Sequence, residues 1–259
     1  MLELLIFLSV ILPVITGLVA FLDKSNQLKK KLVVVTGGVL TVTALMLAMR
    51  APTVLPFGSG LASAMRGPIV ALDLALLVVI FLIGLRRGHA LIMALSVVQL
   101  AGMGYLDMFL PPKIEATTPA FVVDSLAVTL VLVVSIVGSI IAYYALGYMK
   151  EHEEHLHLAT TRQPRFFALI LLFLGAMNGL AMADDLSWVY FFWEVTTLCS
   201  FLLIAHDDTE EANTNAERAL WMNMAGGVAF VAALLCLEGF QGTLSPTALQ
   251  QMAKTEAKE

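Results

Sequence analysis

Asp184-Asp185-Leu186-Ser187-Trp188-Val189-Tyr190-Phe191-Phe192-Trp193-Glu194-Val195-Thr196-Thr197-Leu198-Cys199-Ser200-Phe201-Leu202-Leu203-Ile204-Ala205-His206-Asp207-Asp208 decides how this chain is read. Acidic residues bound the stretch at both ends. Between them lies an apolar run long enough to cross a bilayer as a helix. One carboxylate, Glu194, stands inside it, eight residues past Leu186. At helical rise that is roughly 12 Å deep, near the middle of a hydrocarbon core about 30 Å thick. A charge there costs at least about 2.5 to 3.5 kcal/mol on insertion scales. Burial disfavours the ionised form and a nearby cation favours it. A carboxylate under both influences can take up and release protons. The competing reading is a fixed packing group, hydrogen-bonded to a neighbouring helix and never titrating.

The rest of the chain has the same character. Hydrophobic residues make up 59% and charged residues 14% of 259, and the mean hydropathy is +0.87. These values exclude an ordinary soluble domain and predict an all-α, polytopic transmembrane helical bundle. The lipid bilayer is its solvent. A net charge of −5 with no basic face gives no support for a nucleic-acid partner. Cys199 and Cys236 both fall in apolar runs and read as small packing side chains, not as a disulfide framework.

Eight spans follow in order: Leu2 to Leu22, Leu32 to Met49, Ile69 to Leu85, Ala90 to Leu110, Phe121 to Tyr148, Phe166 to Ala183, Leu186 to Ala205 and Arg218 to Leu237. The first carries Glu3 and no basic residue ahead of its apolar run, so it reads as a retained helix and not a signal peptide. Ala51 to Pro68, rich in Pro, Gly and Ser, reads as a loop. Lys150 to Arg165 and His206 to Glu217 read as polar loops, and Gly239 to Glu259 as a polar tail. All eight lysines are expected outside the spans. Three regions result: 1–110 with four helices, 111–238 with four helices including the one that carries Glu194, and 239–259.

Loops after odd-numbered spans hold Lys24, Lys29, Lys30, Lys31, Arg86, Arg87, Lys150, Arg162, Arg165 and Arg218. The opposite side holds only Arg50, Arg66, Lys113, Lys254 and Lys258. The asymmetry places the odd-numbered loops in the cytoplasm and both termini outside.

The chemistry centres on Glu194 and a few supporting groups. Helical spacing sets Tyr190 and Thr197 on its face, with Ser187 and Phe201 extending the stripe. Arg218, at the entry of the last span, is either a snorkelling surface arginine or an electrostatic partner of Glu194. Asp73 and Asp124 stand near the outer ends of their spans, where a helix dipole stabilises a carboxylate. The run Glu151-His152-Glu153-Glu154-His155-Leu156-His157 lacks the i, i+4 histidines of a helical zinc motif and reads as a solvated loop. No metal site, phosphate loop, nucleophile elbow or Cys-x-x-Cys pair is legible, and no cofactor is expected.

A family resemblance then emerges from an ordered series. It runs from Phe121-Val122-Val123-Asp124-Ser125 through Gly147-Tyr148-Met149 and Arg165-Phe166. It continues with Trp193-Glu194, Cys199-Ser200-Phe201-Leu202-Leu203-Ile204 and the segment Arg218-Ala219-Leu220 to Asn223 and Gly226. This resembles the N-terminal half of the antiporter-like subunits of complex I, of Mrp cation/proton antiporters and of energy-converting membrane-bound hydrogenases. The resemblance implies that Glu194 is the intramembrane glutamate of a proton path, with Arg218, Tyr190, Thr197, Asp124 and Asn223 in support. Met224 and Gly227 depart from the family's Arg and Asp. The pair of spans from Ile69 to Leu110 is additional to the complex I pattern. The family continues with further helices and buried lysines that this chain does not contain, so it reads as a split subunit or half of the usual machine.

By that resemblance the chain is a subunit of a proton- or sodium-translocating redox complex in a prokaryotic cell membrane, without a catalytic centre of its own. The alternatives are part of a Mrp-type antiporter, or a scaffold with an inert Glu194. Implied partners are other membrane subunits and hydrophilic iron–sulfur and nickel–iron subunits. One membrane partner is expected to pack against the last two spans and present a buried lysine or histidine to Glu194.

Overall fold

The computed structural model describes residues 1–22, 26–110, 116–156 and 160–256. Lys24, Pro111, Pro112, Lys113, His157 and Lys258 lie outside the described residues. Among the described residues, ten α-helices and one two-stranded antiparallel sheet follow in order: α1 (Leu2–Leu22), α2 (Asn26–Ala48), β1 (Thr53–Pro56), α3 (Gly60–Arg87), α4 (Ala90–Phe109), β2 (Pro119–Val123), α5 (Ser125–Leu132), α6 (Gly138–His155), α7 (Gln163–Met182), α8 (Leu186–Ile204), α9 (Glu210–Gln241) and α10 (Pro246–Glu256). A π-turn, Val133–Val137, makes α5 and α6 one continuous rod. Eight helices among the described residues are long and apolar enough to cross a membrane, so the protein is a polytopic helical bundle.

The spans sort into two groups. One holds α1, α2, the α5–α6 rod and α7; the other holds α3, α4, α8 and α9. The contact of α7 with α8 joins them. In lipid there is little hydrophobic drive between apolar helices, so close backbone approach and internal hydrogen bonds decide the pairing. The α1–α7 seam shows both. A Cβ at Gly175 would stand 2.6 Å from the Val10 carbonyl, so only glycine permits this approach. Deeper in the group, the Asn178 amide donates to the Ser9 carbonyl and to Ser135 Oγ, each at 3.2 Å. Ser135 lies on the π-turn, where the altered backbone pattern turns a polar side chain inward.

Helix boundaries explain where the loops of the sequence reading differ from the structure. Ala51 to Pro68 is not all loop. It contains β1, and α3 begins at Gly60, capped by Ser59 Oγ, which accepts from Ala62 N at 3.3 Å. Pro68 sits inside α3, as membrane helices tolerate. Asp73 is therefore thirteen residues into a 28-residue helix and 4% exposed, not at a helix end under a dipole. Likewise α9 starts at Glu210 with Thr209 as its cap, so most of the expected acidic loop is helical. The expected loop from Lys150 is helical as far as His155, and His152 Nε2 meets Asp207 at 2.8 Å. Lys29, Lys30 and Lys31 fall in the first turns of α2, and Lys150 near the end of α6, so lysines do enter helices, at their ends.

The tail is also structured. Leu186 N donates to the Leu244 carbonyl at 2.9 Å. Ser245 Oγ donates to Asp184 Oδ2 at 2.6 Å, and Thr247 N to Asp184 Oδ1 at 3.3 Å. At that end of the bundle β1 pairs antiparallel with β2, and Trp188 packs edge-on against Phe57 and Phe121. Asp184, which reads as a mere boundary in the sequence, ties the C-terminal segment to the start of α8.

Candidate intramembrane proton site

Asp185 begins α8 by accepting from Ser187 N at 2.8 Å and Trp188 N at 3.2 Å. Such a cap satisfies two amides that a helix start leaves without partners. Burial pushes the Asp185 carboxyl up to about 6. The two amide hydrogen bonds and Arg66 pull it down, and Asp184 adds to the rise. From this fixed start the helix carries Glu194 about 12 Å inward at 1.5 Å per residue.

Glu194 is fully enclosed, at 0% exposure. Neither carboxylate oxygen has a hydrogen-bond partner among the described residues. The groups around it come from four helices of one layer. Gly227 of α9 lies so near that a Cβ there would stand 2.8 Å from Glu194 Oε1 and would collide with Gln99 Nε2. Gln99, on α4, is itself 0% exposed. Its Nε2 donates to the Met224 carbonyl of α9 at 2.7 Å, and its Oε1 accepts from the Tyr190 hydroxyl at 3.2 Å. Asp73, on α3, is near enough for its charge to act on both Glu194 and Tyr190. Its Oδ1 is buried without a hydrogen-bond partner among the described residues.

The outcome for each expected site residue can be stated from position. Tyr190 is fully buried and joined to the Glu194 surroundings through Gln99. Thr197 is buried on the same helix, at 3% exposure. Asn223 is half-buried on α9, next to the Met224 whose carbonyl Gln99 holds. Asp124 is exposed and caps α5, accepting from Ala127 N at 2.8 Å. Arg218 is exposed and lines a surface depression with Thr209, Glu210, Glu211, Thr214 and Asn215. The buried stripe of α9 runs instead through Ala216, Leu220, Met224, Gly227 and Val231. The neighbouring Glu217 pairs with Arg87 at 3.5 Å. The structure thus gathers Glu194 and Tyr190 with two residues the sequence reading did not place there, Gln99 and Asp73.

Both come from the pair of spans that looks additional. With α9, they bring side chains of this same chain up to the carboxylate. Gln99 could have been found as a polar residue near the middle of an apolar span. Asp73 is obscured by the proline at 68, which makes the 28-residue helix look shorter by its first turns.

Two family descriptions match the chain. "NADH-Ubiquinone oxidoreductase (complex I), chain 5 N-terminus" matches residues 116–167. "NADH:quinone oxidoreductase/Mrp antiporter, TM" matches residues 183–259, which include Glu194 and all of α8 and α9. Over these two stretches the chain is similar to the antiporter-like membrane subunits of complex I and of Mrp antiporters.

Individual relatives carry the same likeness. An antiporter subunit designated mnhA2 from Staphylococcus haemolyticus is 27% identical over 191 residues, 68% of this chain and 23% of the relative. Its counterpart in Staphylococcus saprophyticus is 30% identical over 130 residues, 50% of this chain and 15% of the relative. The Na(+)/H(+) antiporter subunit A1 of Staphylococcus aureus is 30% identical over 115 residues, 44% of this chain and 13% of the relative. The chain therefore spans less than a quarter of the length of these relatives. Neither family match extends over α1 to α4, so Gln99 and Asp73 stand outside both matched regions.

Proposed function

We propose that this chain carries protons within a larger multi-subunit membrane complex, with Glu194 as the group that binds and releases them. The observation behind this reading is the state of the Glu194 carboxylate. A packing carboxyl would be held by hydrogen bonds from its neighbours, because an unmade bond at a buried polar group costs about 1 to 3 kcal/mol. Here both oxygens lack one among the described residues. The side chain is fully buried and close to another carboxylate, Asp73. An isolated charge in that setting neutralises by taking a proton, and the fixed amide of Gln99 keeps the space beside it polar.

Exchange of protons against sodium ions is the coupling the relatives favour, since the printed name of the Staphylococcus aureus relative is a Na(+)/H(+) antiporter subunit. The redox-coupled reading rests on the other family description, which names NADH-ubiquinone oxidoreductase. In that case iron–sulfur or nickel–iron partner subunits supply the electrons. In either case the cytoplasm lies on the side of the Arg86–Arg87 turn, by the Lys/Arg asymmetry.

The test uses the intact complex in sealed vesicles carrying a pH-sensitive dye. In a Glu194→Gln variant that assembles normally, proton movement driven by a sodium pulse or by the electron donor should be lost. Proton movement at the wild-type rate in that variant returns Glu194 to a scaffold role. Whichever driver works in the wild type selects between exchange and redox coupling.

A further inference from the structure

We propose that the α3–α4 pair is a proton-access arm, in which Asp107 and Asp73 relay protons to Glu194 from the bundle end where α8 begins. The inference rests on the reading of Glu194 as the proton-exchanging group, and adds to it the route by which that group is reached.

The levels along the helices order the three carboxylates. Gln99 and Glu194 share one level, because both meet the position of Gly227. Asp107 is eight residues further along α4, so roughly 12 Å closer to the end of that helix. It is half-buried and only two residues from the helix end at Phe109. Asp73, on the adjoining α3, lies between. The Asp107 charge acts on Asp73, and the Asp73 charge acts on Glu194 and Tyr190. Asp73 is thus within electrostatic reach of the group on either side of it.

The atoms along this line suit the task. Asp73 Oδ1, both Glu194 oxygens and Ser187 Oγ are buried and make no hydrogen bond among the described residues. Tyr190 bridges the interval with a hydroxyl fixed by Gln99. Buried polar atoms of this kind are what internal water molecules bind, each water needing two or more such partners. Polar ground lies at the bundle end where α8 begins. At the same end, Thr117, Thr118, Asp185, Glu238, Ser245 and Thr247 line a cavity of about 200 Å³. The opposite end of the Glu194 level is closed by the apolar cluster of Ile80, Ile92, Phe201, Leu220 and Met224. On the Asp107 side the packing is also apolar, through Leu77, Met103, Leu106, Leu234 and Leu244 around Tyr190, so Asp73 and Asp107 supply polar groups within it.

Each transfer moves one proton and no electrons. A proton from bulk water converts the Asp107 carboxylate to the acid. Through intervening water it passes to Asp73 and restores the Asp107 carboxylate. It then passes to Glu194 and restores that of Asp73. Asp107 acts through Asp73, and Asp73 delivers the proton to Glu194.

The experiment compares three variants of the intact complex in the same vesicles. Asp107→Asn and Asp73→Asn should each slow proton flux by roughly a hundredfold, the scale of a lost proton-transfer group. Acetate or formate, as small diffusible acids, should restore flux to Asp107→Asn but not to Glu194→Gln. Flux within twofold of wild type in Asp107→Asn, beside a silent Glu194→Gln, means that Glu194 is filled by another route and overturns the relay alone. Loss in Asp107→Asn that small acids do not restore means a packing defect and also overturns it. Full flux in Glu194→Gln instead removes the functional reading on which the relay rests. Should Asp73→Asn fail to assemble, Asp107→Asn carries the test, because its site is half-buried at a helix end.

Discussion

Gly227 of α9 faces Glu194 of α8 so closely that a methyl group at 227 would stand 2.8 Å from Glu194 Oε1. The missing side chain is what lets Gln99 reach across from α4 to the Met224 carbonyl. Three helices thus meet at one glycine, and the meeting point is the proposed proton-binding group. The contact leads directly to a substitution.

Gly227→Ala places a methyl against the Gln99 amide and the Glu194 carboxylate. Overpacking of this kind costs about 1 to 3 kcal/mol. The melting temperature of the detergent-solubilised protein should fall, and proton flux should fall with it. Gly226→Ala, on an open face of the same helix with no atom near its would-be Cβ, should leave both unchanged. Equal behaviour of the two variants would contradict the α4–α9 packing described.

Gln99 holds two helices to a third, so its replacement should cost more than loss of one bond. Gln99→Leu removes the second donor of the Met224 carbonyl, which keeps its helical partner, and leaves the buried Tyr190 hydroxyl without one, at about 1 to 3 kcal/mol for that group. Tyr190→Phe removes one hydroxyl only and should cost about 0.5 to 1.5 kcal/mol. Thermal melts of the two single variants and the double variant measure this. The Tyr190 effect should largely vanish in the Gln99→Leu background.

Asp185 gives a pH signature outside the membrane spans. Its carboxyl is held at about 6 in the fold against 3.8 otherwise, chiefly by burial. A raised carboxyl favours the folded state while protonated. The stabilisation is full below about 4 and is lost as pH rises through about 6, a difference on the order of 3 kcal/mol. Asp185→Asn keeps a good helix cap and removes the titration. Its melting temperature should be flat from pH 4 to pH 8, and should exceed that of the wild type above pH 6. A wild type that gains stability over that range would reverse the sign.

The proposed orientation has its own check. Thr160 is exposed between α6 and α7, on the side richer in Lys and Arg. Thr160→Cys should react with a membrane-impermeant maleimide from the cytoplasmic side only. Cys199 is buried and Cys236 is exposed on an apolar span, where an aqueous reagent has no access. Labelling from outside would invert the topology.

The sequence alone determined that this is a bundle of eight spans, with Glu194 deep in the seventh, because lipid demands long apolar runs and makes any interior charge conspicuous. It also carried the family resemblance, through motifs local to α5–α6, α8 and α9. It misjudged lengths where local signals misled. Pro68 looked like a loop residue, although a membrane helix can run through it, and so Asp73 was set at a helix end. Capping residues such as Ser59 and Thr209, which start α3 and α9 early, are weak signals beside an apolar run. Only tertiary structure decided what surrounds Glu194. Gln99 is 95 residues away in sequence and Asp73 further still, and no local pattern records which face of one lipid-soluble helix will meet another. That choice rests on glycine contacts and single hydrogen bonds, such as those of Gly227 and Gln99, which exist only once the helices are side by side.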